Sequence, residues 1–162
     1  MLDKTQSLSY KLSNSELKDF LDIKVEQYNN IKFIESDPIQ IPHTFSLKED
    51  IEISGFLTAT IAWGNRKSII NNASILMHLL DNAPFDFVLN HQETDLKKLK
   101  PFVHRTFNGD DSIQFIKSLQ HIYKNHNGLE AVFSKHANKE SMQKAISEFK
   151  SIFLNLNIYN AH

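Results

Sequence analysis

Eight histidines are the first residues to weigh, because two neutral imidazoles on one helical face beside a carboxylate can hold zinc. No HExxH pair occurs, and His121 and His126, five residues apart, are expected to diverge on a helix. Polar surface and helix-end positions are the roles left to the histidines. The sequence has no cysteine, which removes disulfides, thiolate ligands and Cys nucleophiles. It also lacks a nucleophile elbow, a GxxxxGK phosphate loop and a GxGxxG turn. No metal and no cofactor is therefore expected. The carboxylates Asp50, Asp110 and Asp111 lie near expected helix starts, where capping is their expected duty.

Two short stretches concentrate the remaining chemistry: AWGNRKS at residues 62–68 and PFVHRTFNGDD at residues 101–111. Each sets an aromatic ring, cations, Asn and Gly at an expected helix junction. Such a junction presents backbone donors to phosphate, with Arg66 and Lys67 adding charge and Asn65 projecting from a tight turn. Lys97, Lys98, Lys100, His104 and Arg105 make a second cationic cluster able to follow a phosphate backbone. A packing role fits the same residues. Trp63 would then sit in the core, Gly64 and Asn65 would take left-handed geometry, and Arg105 would pair with Asp110 or Asp111.

Helices must position these stretches. Ser13 and Glu16 form a capping box for a first helix to about Asn29, with Leu17, Phe20, Leu21, Val25 and Tyr28 on one buried face. Pro38 and Pro42 make DPIQIPHTF an ordered connector lying across a helix. Ser46 and Glu49 read as a second capping box, opening a central helix that buries Ile53, Phe56, Leu57, Thr60 and Ile61. Gly64-Asn65 ends it and joins it in a hairpin to a helix bearing Ile69, Ile70, Ala73, Leu76, Met77 and Leu80. Pro84 suits the first turn of a short helix, and DLKKLK adds a turn or two before Pro101. Asp110 or Asp111 is expected to cap a helix carrying Ile113, Ile116, Leu119, Ile122 and Tyr123, which NHNG stops. GLEAVFSKH reads as a short helix, and Asn138 as the cap of a last one with Met142, Ala145, Ile146, Phe149 and Phe153.

The fold class is thus all-α, a single array of about seven helices over residues 1–162, with residues 1–12 as a mobile end. Phe56, Leu57, Ile61, Ile70, Leu76, Leu80, Ile116 and Leu119 are the expected core. Eighteen Lys and Arg against nineteen Asp and Glu give a net charge of −1, so any basic site is a local patch. No apolar run reaches the ~20 residues of a membrane span or resembles a signal segment, so no membrane partner is expected and the cytoplasm is the expected location.

DPIQIPHTFSLKEDIEISGFLTATIAWGNRKSIINNASILMHLLDNAPFDFV and FVHRTFNGDDSIQFIKSLQHIYKNHNGLEAVF resemble a bacterial family, domain of unknown function family twenty-four hundred. The resemblance runs from about Leu17 to Phe153. That family is in turn similar to the helix-hairpin-helix DNA glycosylases, which implies a fold like their amino-terminal part. On that likeness GFLTATIAWGNRKSIINNAS resembles a helix, a DNA-probing loop and the next helix, with Asn65 where many glycosylases place a wedging Gln. It implies double-stranded DNA as partner, met by Asn65, Arg66, Lys67, His104 and Arg105. Members of the family are longer, and this sequence has no LPGVG-like hairpin or matching catalytic Asp region. The resemblance therefore implies an amino-terminal portion without base-excision chemistry, in which a homo-oligomer or another partner covers the uncovered face. A helical interaction or scaffold module that binds no nucleic acid is the competing expectation.

Overall fold

The computed structural model describes residues 12–137 and 141–154. The expectations for residues 1–11, for the Asn138 cap and for the NLNIYNAH tail lie outside the described residues. The chain divides after Ser36 into two compact units.

In the first unit, helix α1 spans Asn14–Tyr28 and the one-turn α2 spans Ile31–Ile34. The Ser13/Glu16 capping box forms as expected, with Glu16 Oε2 accepting the Ser13 N–H at 2.8 Å. That bond holds the Glu16 carboxyl below its usual range. The expected buried face does not form: no residue of α1 is buried. Within its own unit the apolar stripe meets little beyond α2, through an edge-to-face contact of Tyr28 with Phe33 at 5.4 Å.

The second unit begins with two 3-10 turns, Pro38–Gln40 and Pro42–Thr44, each with proline in its first position. These turns are the DPIQIPHTF connector, and they lie across α3 (Lys48–Thr60) and α4 (Arg66–Leu79). The second capping box is not made. Helix α3 starts one residue later than Ser46 would allow, from Leu47, with no side chain on its cap. Asp50, in its first turn, instead accepts the Phe85 N–H at 2.8 Å. It thereby supplies the acceptor missing at the start of α5 (Pro84–Asn90), whose own N-cap residue is Ala83.

After α6 (Glu93–Leu96) and a 3-10 turn at Lys97–Leu99, two-residue strands β1 (Val103–His104) and β2 (Phe107–Asn108) pair antiparallel. Asp95 Oδ2 accepts the Gln92 N–H at 2.9 Å at the start of α6, and this bond is the main reason the Asp95 carboxyl sits below its usual range. Helix α7 (Gly109–Asn125) follows directly. Its cap is Asn108 rather than either aspartate: Asn108 Oδ1 accepts from the backbone of Asp110 and Asp111, and Asp111 Oδ2 accepts the Asn108 N–H at 2.9 Å. Gly109 is required here, since a Cβ would lie 2.3 Å from the Lys100 carbonyl oxygen. Helices α8 (Leu129–Ser134) and α9 (Gln143–Leu154) complete the described residues, so all-α holds, with α2 and α6 beyond the seven helices expected.

The core gathers where α3, α4, α5, α7 and α9 meet. Leu57, Ile61, Leu76, Leu80, Ile116 and Leu119 are all at most 1% exposed. Phe56 is half-buried against this core, within 6 Å of the Phe115, Phe149 and Phe153 rings. Ile70 is only half-buried, because the inward face of α4 runs through Ile69, Ala73, Leu76 and Met77. Ile146 is exposed, one residue past the buried Ala145. Buried Ser118 donates to the Phe153 carbonyl at 2.8 Å and ties α7 to α9. Tyr123 donates to Glu52 Oε2 at 2.7 Å and ties α7 to α3. Burial, then that bond to a carboxylate, push the Tyr123 hydroxyl far above its usual range.

His121 and His126 do not diverge: their Nε2 atoms are 3.3 Å apart. His126 lies beyond the last helical residue with φ −129°, so the chain turns and its ring folds back toward His121. Among the described residues no three or more His, Asp or Glu group to hold a metal, and no helix is long and apolar enough to cross a membrane.

Candidate nucleic-acid interface

The two stretches singled out by residue type meet in space. Helix α3 stops at Thr60, Ile61 is fully buried below it, and the chain climbs through Ala62 and a one-third-exposed Trp63. Gly64 then takes φ +108°, a backbone conformation that L side chains rarely adopt. That turn sets Asn65 at φ −73°, ψ 123° as the N-cap of α4. The Asn65 side chain accepts the Ser68 N–H at 3.2 Å.

The other stretch arrives as the β1–β2 hairpin. His104 and Phe107 are register partners and share the inward face, while Val103 points out. Phe107 packs edge-on against Phe102 and Phe115. His104, 3% exposed, meets the Trp63 ring edge-to-face at 5.5 Å, and its Nε2 lies 3.4 Å from the Trp63 carbonyl oxygen. Between them Arg105 takes φ +55° at the tip of the hairpin. Its guanidinium lies directly on Gly64: a Cβ there would come within 2.3 to 2.6 Å of its atoms.

Asn65, Arg66, Lys67 and Arg105 are all exposed, so one surface carries the start of α4 and three cations. Nothing acidic occupies the first turn of α4, where a helix dipole ordinarily favours a negative charge. The Arg66 guanidinium lies 3.6 Å from Asp37 Oδ2. His104 belongs to the arrangement as a buried support rather than as part of the exposed surface.

The lysine cluster is divided differently from the expectation. Lys98 lies 3.3 Å from Asp95 and 3.9 Å from Asp81, and Lys100 pairs with Asp110. Arg105 therefore does not pair with Asp110, whose carboxylate Lys100 takes, or with Asp111, which serves the α7 cap.

Residue types missed one feature beside this surface. Connector, α3 and the start of α4 enclose a cleft of about 670 Å³, with Thr58 in its wall. The spacing that placed Thr60 on the buried side of α3 passed over Thr58, which is the buried one of the two, so no residue signal marked the cleft.

Comparisons with curated proteins and with solved structures returned no match. A model of the family described as Protein of unknown function (DUF2400) matches residues 37–162, beginning where the second compact unit begins. The chain belongs to that family of unknown function.

Proposed function

We propose that this chain is a helical nucleic-acid-binding domain that meets a duplex backbone at the start of α4, with Arg66, Lys67 and Arg105 as phosphate contacts. The observation that carries the reading is the seat of the Arg105 guanidinium on Gly64, which brings a cation from a distant stretch to the Arg66-Lys67 turn. Cations at the positive end of a helix dipole repel it; Asp37 relieves part of that repulsion at Arg66, and a bound anion relieves the rest. Backbone N–H groups at the start of a helix point out along its axis, a geometry that suits a phosphate oxygen. Asn65 caps the helix in the free protein, and releasing that cap is the cost of its entering a duplex. The kinship to DNA glycosylases suggested by the helix–loop–helix around Gly64 is part of this proposal.

Base excision is not among the activities proposed for this chain. That chemistry needs a positioned carboxylate or amine beside the flipped nucleotide. Asp50, Asp110 and Asp111 are each held by a cap or an ion pair. Incubation with duplexes carrying damaged bases or an abasic site should yield no cleavage. Turnover abolished by Asn at one of these positions would locate an active site and overturn this part.

A second reading is favoured by the burial of His104 and by the pairing of Lys98 and Lys100 with acids. In it both stretches serve packing, and the domain is an interaction module. Titration of a labelled duplex separates the two. Under the first reading Arg66→Gln, Lys67→Gln and Arg105→Gln together weaken binding across sequences. Under the second the parent does not bind even at low salt.

A further inference from the structure

We infer that the cleft under the proline connector binds an uncharged small molecule with an apolar, ring-sized body and one hydrogen-bonding group. Its walls are Pro38, Pro42, Ile51, Ala59 and Ile69, and its volume of about 670 Å³ falls within the range of small-molecule sites, roughly 300 to 1,000 Å³. The two charged residues on it, Asp37 and Arg66, face one another at 3.6 Å, and Asp37 also accepts the Ile39 N–H at 3.1 Å. The cleft thus carries no net charge, which selects against an ionic ligand.

Thr58 supplies the polar group. It is 4% exposed, and its hydroxyl is the buried side-chain polar atom without a hydrogen-bond partner among the described residues. Its neighbour Thr60 satisfies its own hydroxyl on the Phe56 carbonyl at 2.8 Å, the usual solution for threonine in a helix. Thr58 does not use that solution, and a buried hydroxyl without a partner is unfavourable until something pairs with it. The hydroxyl oxygen itself has no accessible surface, so a ligand hydroxyl or carbonyl entering between the prolines and α3 meets it only after a turn about the Thr58 χ1 bond, while its ring covers apolar wall.

Gly64 and Arg66 line the cleft as well as the proposed nucleic-acid surface, but Thr58 and Ala59 belong to the cleft alone, so their variants test it separately from duplex binding. Phenol and toluene, alike except for the hydroxyl, are the probes. Titrated into the full ¹⁵N-labelled chain, both should saturably shift the amides of Gly55, Ala59 and Ala62, with phenol binding more tightly. Thr58→Val should weaken phenol about tenfold, the size of one hydrogen bond of ~1.4 kcal/mol, and leave toluene unchanged. Ala59→Trp, at an exposed position on the cleft, should abolish binding of both without disturbing the core, and it serves as the test if Thr58→Val does not fold. The proposal is overturned if neither probe shifts those amides saturably. It is equally overturned if Thr58→Val leaves the preference for phenol intact, or if Ala59→Trp leaves binding undiminished.

Discussion

Replacing Gly64 by Ala probes the joint between the two stretches, and its cost separates into two parts. The backbone part comes from φ +108°, where an L residue is strained by about 1 to 3 kcal/mol. The contact part comes from a Cβ placed 2.3 Å from an Arg105 guanidinium nitrogen. That atom ends a long flexible side chain, so it moves aside for about 0.5 to 1.5 kcal/mol of rotamer cost. Gly64→Ala should therefore lower stability in urea by about 1.5 to 4.5 kcal/mol, or the melting temperature by roughly 3 to 18 °C for a chain of this size. In an Arg105→Ala background the backbone part persists and the contact part vanishes, so the double-mutant cycle should return a coupling of about 0.5 to 1.5 kcal/mol. Displacing the guanidinium should also weaken duplex binding by Gly64→Ala, well below the unfolding transition. A loss of stability under about 0.5 kcal/mol would refute the strained turn. A zero coupling would refute the seat of Arg105 on Gly64.

Leu57→Ala, at a site 1% exposed in the centre of α3, should cost about 2 to 5 kcal/mol in the same urea assay, and a near-neutral result would displace α3 from the core. The raised Tyr123 hydroxyl makes stability pH-dependent on the alkaline side. Below the ordinary tyrosine value of about 10 both folded and unfolded chains hold the proton; above it the unfolded chain loses it first, so stability falls as pH rises. Tyr123→Phe should destabilise the chain at neutral pH by about 1.5 to 3 kcal/mol, through the lost bond to Glu52, and flatten that alkaline decline. An unchanged alkaline slope would assign the decline to other groups.

Local chemistry was the legible part of this sequence. The Ser13/Glu16 box, proline at the start of α5, the Gly64 turn and the apolar spacings of α3, α4 and α7 are decided within a few residues, and each stands where spacing placed it apart from the half-buried Thr60 and Ile70. What spacing cannot carry is the partner that arrives from elsewhere. Asp50 serves the start of α5 from 35 residues away, and α3 begins from Leu47 without the Ser46/Glu49 box. Asn108 outcompetes two aspartates for the α7 cap, because the hairpin delivers it in extended geometry directly before the first turn. His126 returns to His121 only because the helix has already ended. At the candidate site, residue type identified both stretches, but not their meeting. The burial of His104 follows from its pairing with Phe107 across a hairpin, and that pairing sets its face.

The start of α4 and the hairpin tip are proposed to form one phosphate-binding surface. That surface is tested most directly by the salt dependence of duplex affinity, measured by fluorescence anisotropy for the parent and for the Arg66→Gln, Lys67→Gln, Arg105→Gln variant. Each phosphate neutralised contributes about 0.9 to the slope of log affinity against log salt, so losing all three contacts should flatten the slope by about 2 to 3. A parent that binds at low salt with a slope unchanged in the variant would place the contact on another surface. No binding by the parent at low salt would leave the two stretches to packing alone.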